Sequence, residues 1–426
     1  MIALVDANNF YVSCERVFDP RLEGQAVAVL SNNDGCVISR SPECKAMGIE
    51  MGTPYFKLKG MAGLLFRSSN YELYGDMSAR IASVLGTFTP DVEQYSIDEA
   101  FLHFTGEGQA TRAGGWEELG KAIRARVLRW TGIPCGVGFA KTRTLAKIAN
   151  HIGKKLPGGV YAMPDNATPV LERLPVEEVW GVGRRLSERL KRWRVRTALD
   201  LTRCNRDFFR RGKFAVTLER TAAELRGIPA TEADPLERDN MQSVGVSRMF
   251  GTPVSDLQGL EEAVSTYAAA ASAKLRKAGM VASVANVYVQ ECAPPGTGGW
   301  KDENWWTPFL TVTVPFEAPT SATPDILSAV CPAVGRLYVE GKRYRRAGVL
   351  LCGLERAGAA MDLFHGDPAN RPAAKLSAAV DAINARFGRG TVFFASEGTE
   401  RKWKMKREML SGCPTTQWKD ILVVNA

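Results

Sequence analysis

Three acidic side chains stand beside apolar runs that are typical of buried strands. Asp6 follows the run Ile2–Val5, and Asp98 and Glu99 lie at a break within Val92–Phe104. Hard divalent cations such as Mg²⁺ prefer carboxylate oxygens, and two such ions about 3.5–4 Å apart activate an attacking oxygen while stabilising a leaving one. Because adjacent residues of a regular strand point to opposite faces, Asp98 and Glu99 can share a site only if the chain turns there. Ordinary acids at a hairpin tip would show the same spacing.

Two aromatic residues follow the first acid and could line a substrate pocket. They are Phe10 and Tyr11, in the segment Asn8–Glu15. A ring beside a metal site can form one wall of a pocket, but rings at these positions can also pack in the core. Core packing is favoured for Phe10, and the two interpretations are equally compatible with Tyr11.

A glycine-containing turn precedes a strongly basic segment in the middle of the chain. Gly181 and Gly183 stand directly before Arg184 and Arg185, and residues 184–196 hold seven Arg or Lys and one acid. Backbone N–H groups at the start of a helix, together with the helix dipole, suit a phosphate. The pattern resembles a helix-hairpin-helix, which holds DNA through its backbone without reading bases. A solvated charged surface is the simpler alternative.

Charge and cysteine content narrow the class of protein. The 426 residues contain 55 Lys and Arg against 46 Asp and Glu, a net charge of +9. The excess is uneven, since residues 1–100 hold 8 basic and 13 acidic side chains. A basic body suggests a polyanionic partner. The chain has nine cysteines and no export signal, which indicates reduced thiols in a cytoplasmic protein. The cysteines form no CxxC pair and there are only three histidines, which disfavours a zinc site.

The elements that must position these residues fall into successive regions. Alternating strand and helix patterns to about residue 160 predict an α/β or α+β layer, with a helix over Thr142–Lys154. Residues 166–230 read as helical and basic, and 229–240 as a linker. Residues 243–354 give the order β-α-β-β-α-β, which is a ferredoxin-like signature. From about residue 355 the chain reads as a tail with little periodicity.

Several motifs together resemble the Y-family of translesion DNA polymerases, and more closely its UmuC branch. The segments that carry the resemblance are Asp6 with FYVSCE (10–15), YSIDEAF (95–101) and AKTRTLAKIAN (140–150). SNNDGCVISR (31–40), SSNYELYGDMS (68–78), VWGVGRRLS (179–187) and GRGTVFFA (388–395) fit the branch. The resemblance extends over nearly the whole chain, and YSIDEAF is its most specific part.

The resemblance implies a multidomain α+β fold shaped as a right-hand polymerase. Palm and fingers would span 1–165, with the fingers at about 18–75, and a helical thumb containing the helix-hairpin-helix would span 166–232. A ferredoxin-like little finger would span 241–355, followed by a C-terminal tail over 356–426.

The resemblance also assigns roles to individual residues. Asp6 and Asp98 would bridge two Mg²⁺ ions, Glu99 would complete the site of the ion that activates the primer 3′-oxygen, and the carbonyl of Ala7 would bind the nucleotide-side ion. Tyr11 occupies the steric-gate position, where its ring would collide with a ribose 2′-OH. The remaining assigned positions hold the incoming triphosphate: Ser39, Lys45 and Lys154.

Two of these positions depart from the pattern of the family. Pro42 stands where many relatives have a Tyr that hydrogen-bonds the triphosphate, and proline cannot do so. Lys45 replaces a more usual Arg, which keeps the charge but loses the bidentate fork. Triphosphate binding is therefore expected to be weaker or arranged differently.

The implied function is error-prone DNA synthesis past damaged template bases during the SOS response. Its partners would be primer–template DNA, deoxynucleoside triphosphates, a UmuD′ dimer, a RecA filament and the sliding clamp. The clamp peptide would be Met361, Leu363 and Phe364, preceded by Ala360 in place of the usual Gln, and a plain surface turn is its alternative. Two other functions remain open from the residues alone, a palm-fold nucleotidyl cyclase and a non-catalytic DNA-binding scaffold.

Overall fold

The computed structural model describes residues 1–230, 241–293, 307–358, 371–388, 390–421 and 423. The chain divides into two compact units, Met1–Ala233 with Met409–Ala426, and Asp234–Glu408. The predicted clamp peptide at 361–364 lies outside the described residues. Within the described residues, no helix has the length and apolar content needed to cross a membrane.

A five-stranded sheet at the centre of the first unit carries the acids. Its strands, in spatial order, are Val92–Gln94, Glu99–His103, Ile2–Ala7, Cys135–Ala140 and Val160–Ala162. The central strand is antiparallel to both of its neighbours and is buried over most of its length. Its continuous apolar sequence suits this position, because a strand packed on both faces has no polar side.

Helices pack against this sheet and bury its faces. Two of them, Trp116–Thr131 and Arg143–Gly153, contact the strand Cys135–Ala140. The others before residue 165 are Phe10–Phe18, Pro42–Ala46, Tyr55–Leu58, Tyr71–Leu85 and Gly108–Ala113.

A second, three-stranded sheet lies within the predicted fingers. Its order is Val37–Arg40, Ala26–Leu30 and Leu64–Ser68, with the last strand parallel to the middle one. The middle strand is completely buried, with Ala26, Ala28 and Leu30 in a small separate core and Val27 and Val29 in the core of the central sheet. Leu64–Ser68 therefore forms one edge of this sheet.

The basic middle region is helical, as the sequence predicts. Its helices are Thr168–Arg173, Arg184–Arg192, Ala198–Thr202, Arg206–Arg211 and Val216–Leu225. Their apolar faces share a core with the helix Arg143–Gly153, which attaches this region to the central sheet.

The second unit has the predicted β-α-β-β-α-β order. Its elements are Ser243–Val254, Leu257–Lys277, Met280–Glu291, Phe309–Thr320, Thr323–Gly335 and Tyr344–Arg356. All neighbouring strands are antiparallel, and the last strand pairs with both the first and the second. The two helices pack on each other and on the sheet around one core.

A helix forms over Pro372–Phe387, within the segment expected to be a tail with little periodicity. Four apolar residues do recur at helical spacing there and were overlooked: Leu376, Val380, Ile383 and Phe387. None of them is buried, and Ser377 is the one buried residue of the helix. Polar contacts hold it instead. Asp381 forms a bidentate pair with Arg276 at 2.7 and 2.8 Å, and the Ser377 hydroxyl accepts from the backbone N–H of Thr323 at 2.9 Å.

Candidate active site

The antiparallel register brings two of the predicted acids side by side. Asp6 is paired with Glu99, and the Ala7 N–H donates to the Asp98 carbonyl at 2.9 Å. Asp98 stands just before the strand that begins at Glu99. The Ser96 hydroxyl accepts from both of their backbone N–H groups, at 3.3 and 3.0 Å, which forms the turn that adjacent acids need in order to share a site.

Each carboxylate has a partner in this arrangement. Asp6 lies 2.6 Å from the Lys154 ammonium, and Glu99 lies 2.7 Å from that of Lys147. Asp98 accepts a 2.7 Å hydrogen bond from the Ser96 hydroxyl. Among the described residues, no three His, Cys, Asp or Glu side chains have the spacing that holds a metal ion.

Asp6 is a partly buried carboxylate with other acids beside it, and its pKa is raised. Burial raises the pKa of Asp6, the Lys154 ammonium lowers it, and the negative charges of Glu99 and Asp98 raise it again. One ammonium therefore does not offset burial beside two further carboxylates. The donors are all hard oxygens, which is the chemistry that a divalent cation such as Mg²⁺ requires.

One helix supplies both lysines. Lys147 and Lys154 are seven residues apart, which places them two turns apart on one side. The helix Arg143–Gly153 begins at the Thr142 cap and lies very close to its neighbouring strand, since a Cβ on Gly138 would come within 2.1 Å of a helix backbone nitrogen. The Lys154 side chain passes over Gly136, the register partner of Asp6, and so reaches the carboxylate.

Lys147 is a contact of the acid cluster that the sequence did not indicate. Besides Glu99, its ammonium lies 4.8 Å from the ring centre of Tyr95 and 5.0 Å from that of Trp180. The two rings meet edge to face at 5.5 Å. Lys147 and Glu99 are 48 positions apart in the chain and meet only because the helix packs on the sheet. The sequence alone gives no sign of this pair.

Tyr11 lies in a cluster of aromatic rings, half-buried. It stacks on Tyr74 with ring centres 4.5 Å apart and planes at 15°, and it meets Tyr71 edge-on at 6.0 Å. Burial raises the pKa of Tyr11, and the charges of Tyr71 and Asp98 raise it further. Phe10 is 3% exposed and belongs to the core.

The predicted triphosphate contacts converge in part. Partial burial lowers the pKa of Lys45, and the positive charges of Arg40 and Lys154 lower it further, so the three cations share one electrostatic environment. The Lys45 ammonium donates to the Asn9 side chain at 2.6 Å. Ser39 is buried and its hydroxyl accepts from the Val12 N–H at 3.5 Å.

Arg40 is a second cation near these positions that the sequence did not indicate, although it stands next to Ser39.

The departure at Pro42 has a local explanation. Pro42 opens the helix Pro42–Ala46 directly after the cap Ser41, and the first helical position favours proline because its missing N–H has no helical partner.

The glycine turn opens a basic helix and faces outward. Gly181 has φ +84°, which glycine adopts without strain. Gly183 has an ordinary φ of −78°, and a Cβ there would meet no atom within 4 Å. Neither local conformation nor packing demands glycine at 183, whereas close approach of an external group would. Arg184 and Arg185 are exposed at the start of the helix Arg184–Arg192.

Family models match three parts of the chain. Residues 5–151 match the impB/mucB/samB family, and residues 241–363 match the C-terminal domain of the same family. Residues 374–424 match a domain of unknown function.

Curated relatives match over the full length. Protein UmuC of Salmonella typhimurium is 41% identical over 433 residues, covering 100% of both chains, and protein ImpB of the same organism is 41% identical over 99% of both. DNA polymerase IV of Desulfatibacillum aliphaticivorans is 28% identical over 92% of this chain and 95% of its own.

Solved structures show the same fold at lower identity. A Y-family DNA polymerase chimera of Dbh and Dpo4 superposes with a TM-score of 0.63 and 20% identity, over 83% of this chain and 99% of the chimera. An insertion ternary complex of Dbh DNA polymerase gives a TM-score of 0.54 and 19% identity, over 83% of this chain and 98% of its own. With 41% identity to UmuC over the whole length, the chain belongs to the impB/mucB/samB family, the UmuC branch of the Y-family DNA polymerases.

Proposed function

We propose that this chain, by its family an error-prone translesion DNA polymerase, adds deoxynucleotides to a primer 3′-end at the cluster of Asp6, Asp98 and Glu99. One observation carries the proposal. The strand register pairs Asp6 with Glu99 and brings the backbone of Asp98 alongside, so that oxygen ligands meet at one sheet end beside Lys154.

The cofactor that suits this cluster is a pair of Mg²⁺ ions. Asp6, Asp98, Glu99 and the carbonyl of Ala7 would hold them, and their oxygens match the preference of a hard cation. When bound, such ions activate the attacking 3′-oxygen and neutralise charge on the transferred phosphoryl group.

The chain's own residues would bind and orient the nucleotide. Lys45, Lys154 and Ser39 would contact the triphosphate, and cations held there stabilise charge that develops as the α-phosphate is attacked. Arg40 shares the environment of the two lysines and joins them in this role. Tyr11 would exclude the ribose 2′-OH, since its ring is held between other aromatic side chains beside Asp98.

Primer–template DNA would be held through its phosphates at the glycine turn. Gly181 and Gly183 leave open space, and Arg184 and Arg185 add positive charge next to it. Backbone N–H groups and arginines bind phosphate without reading sequence, which suits an enzyme that copies any template.

Further partners follow from the family alone. We propose a UmuD′ dimer, a RecA filament and the sliding clamp, with action at the bacterial nucleoid. The clamp peptide at Met361, Leu363 and Phe364 keeps the apolar anchors but has Ala360 at the leading position.

The test is primer extension by an Asp98→Ala variant. DNA carrying an abasic site, deoxynucleotides and Mg²⁺ are supplied to the protein alone and with a UmuD′-like partner and RecA filament. We expect Asp98→Ala to abolish extension and to leave DNA binding intact, while Asp91→Ala, an exposed acid of the same region, extends like the parent. Extension by Asp98→Ala near the parent rate would remove Asp98 from the metal site. If the parent extends no primer under either condition, even on undamaged template, the polymerase proposal fails.

A further inference from the structure

The C-terminal segment Met409–Asp420 docks on the first unit, in the region that matches a domain of unknown function. Ser68, at the end of the edge strand Leu64–Ser68, exchanges two hydrogen bonds with it. The Ser68 N–H donates to the Met409 carbonyl at 3.0 Å, and the Met409 N–H donates to the Ser68 hydroxyl at 3.0 Å. The segment therefore contacts the end of an edge strand, whose backbone groups are open to such partners.

Asn70 fixes the same segment with its side chain. The Asn70 amide donates to the carbonyls of Ser411 and Gly412 at 3.1 and 3.0 Å, and to the Ser411 hydroxyl at 3.0 Å. Ser68 and Asn70 are 0% and 1% exposed. Without the segment, these polar groups would lose partners that buried groups require.

A hydrogen-bonded chain leads from this segment to a buried carboxylate. The Ser411 hydroxyl donates to Glu15 at 3.0 Å, and the Tyr74 hydroxyl donates to the same oxygen at 2.6 Å. Glu15 is 2% exposed and burial raises its pKa, whereas the bonds from Tyr74 and Ser411 favour the charged form. The Ser411 oxygen accepts a hydrogen bond from the Asn70 amide, and the Ser411 hydroxyl donates its own proton to Glu15.

Tyr74 carries the connection to Tyr11. Its ring is completely buried and stacks on that of Tyr11 with centres 4.5 Å apart and planes at 15°. Glu15 also lies four residues after Tyr11 on the helix Phe10–Phe18, so it anchors that helix as well as the ring. Tyr11 thus rests on a ring whose hydroxyl is oriented by a carboxylate tied to the C-terminal segment.

We propose that Ser411 is a positioning residue for Tyr11, so that docking of the C-terminal segment sets the discrimination between deoxyribose and ribose. The inference rests on the proposed role of Tyr11 as the steric gate. Its path is Ser411, Glu15, Tyr74 and Tyr11.

The test is the ratio of kcat/KM for a deoxynucleotide to kcat/KM for the matching ribonucleotide, measured on full-length protein. Loss of one hydrogen bond of ordinary net strength should lower this ratio by about threefold to tenfold in Ser411→Ala and in Tyr74→Phe. The double variant should lower it no further than the single variants do, since both remove the same connection. Ser411→Thr, which keeps the hydroxyl, should restore the ratio, and Thr416→Ala, an exposed hydroxyl of the same segment, should match the parent.

Other outcomes separate the two proposals. A structural role alone would lower thermal stability or overall activity equally for both sugars and leave the ratio unchanged, which would overturn the positioning role. The Tyr11→Ala variant tests whether Tyr11 is the steric gate, because an unchanged ratio in that variant would show that the gate lies elsewhere. If Tyr11→Ala lowers the ratio while both Ser411→Ala and Tyr74→Phe keep the parent value, the gate stands and the connection to the C-terminal segment fails. If Ser411→Ala does not fold, Tyr74→Phe alone decides, because its ring and the C-terminal segment are unchanged.

Discussion

Replacing Arg184 and Arg185 by Ala together should weaken DNA binding in a way that depends on salt. Both side chains are exposed beside the glycine turn. Among the described residues, no carboxylate lies within 4.0 Å of either guanidinium. Other basic residues of the same segment are occupied, since Arg189 donates to the Gly212 and Lys213 carbonyls and Lys191 lies 2.8 Å from Glu177. Arg184 and Arg185 are therefore available to bind DNA, whereas Arg189 and Lys191 already contact other groups of the protein.

The expected size follows from counterion release. Each phosphate contact on duplex DNA contributes about −0.9 to the slope of log K against log salt, so losing two should make the slope shallower by about 1.8. Between about 50 and about 200 mM salt, the parent should then lose roughly tenfold more affinity than the variant does.

Fluorescence anisotropy with a labelled primer–template over a salt series measures this slope directly. Lys191→Met is the matched control on the same helix, because its charge is paired in the folded protein, and we expect its slope to stay within about 0.5 of the parent. A slope for the Arg184 and Arg185 variant equal to that of the parent, or a larger change for Lys191→Met, would refute the assignment of the glycine turn to DNA phosphates.

Two more substitutions test the nucleotide site and the packing beneath it. Tyr11→Ala should raise ribonucleotide incorporation by roughly tenfold to hundredfold, because forcing atoms into a packed space costs about 1–3 kcal/mol, and single-nucleotide insertion kinetics measure it. Gly138→Ala should lower the free energy of unfolding by at least about 1–3 kcal/mol, since its Cβ would stand 2.1 Å from the Asn150 nitrogen. Urea denaturation reports the loss, and Gly158→Ala, where a Cβ meets no atom within 4 Å, should stay close to the parent. Equal stability of the two glycine variants would contradict the close approach of helix and strand.

Local chemistry made several elements predictable from the sequence. The helix predicted over Thr142–Lys154 is Arg143–Gly153, with those two residues as its caps, because apolar periodicity and a threonine cap are both visible in one short segment. The break at Asp98 and Glu99 was predicted from the same kind of pattern. The element order of the second unit is likewise as predicted.

Contacts that depend on distant parts of the chain were not predictable. The pairing of Lys147 with Glu99 and the presence of Arg40 near Lys154 follow from how the sheet and the fingers fold, which no local pattern encodes. The bond from Ser411 to Glu15 joins residues 396 positions apart. A serine in an irregular segment gives no sign of such a partner.

The pairing of acids with lysines explains how nucleotide and metal binding should depend on each other. Asp6 and Glu99 each contact an ammonium, but three carboxylates face two lysines, and the pKa of Asp6 is still raised. Lys154 is also proposed to bind the triphosphate, and its single ammonium would lose contact with Asp6 on turning to a phosphate. That exchange would return one negative charge to the cluster when the nucleotide arrives. Asp6 would then be partly buried beside two other carboxylates with no cation in contact. The affinity of the cluster for a divalent ion would therefore increase. We therefore expect each of the two ligands to strengthen the binding of the other, with Lys154 as the group that links them.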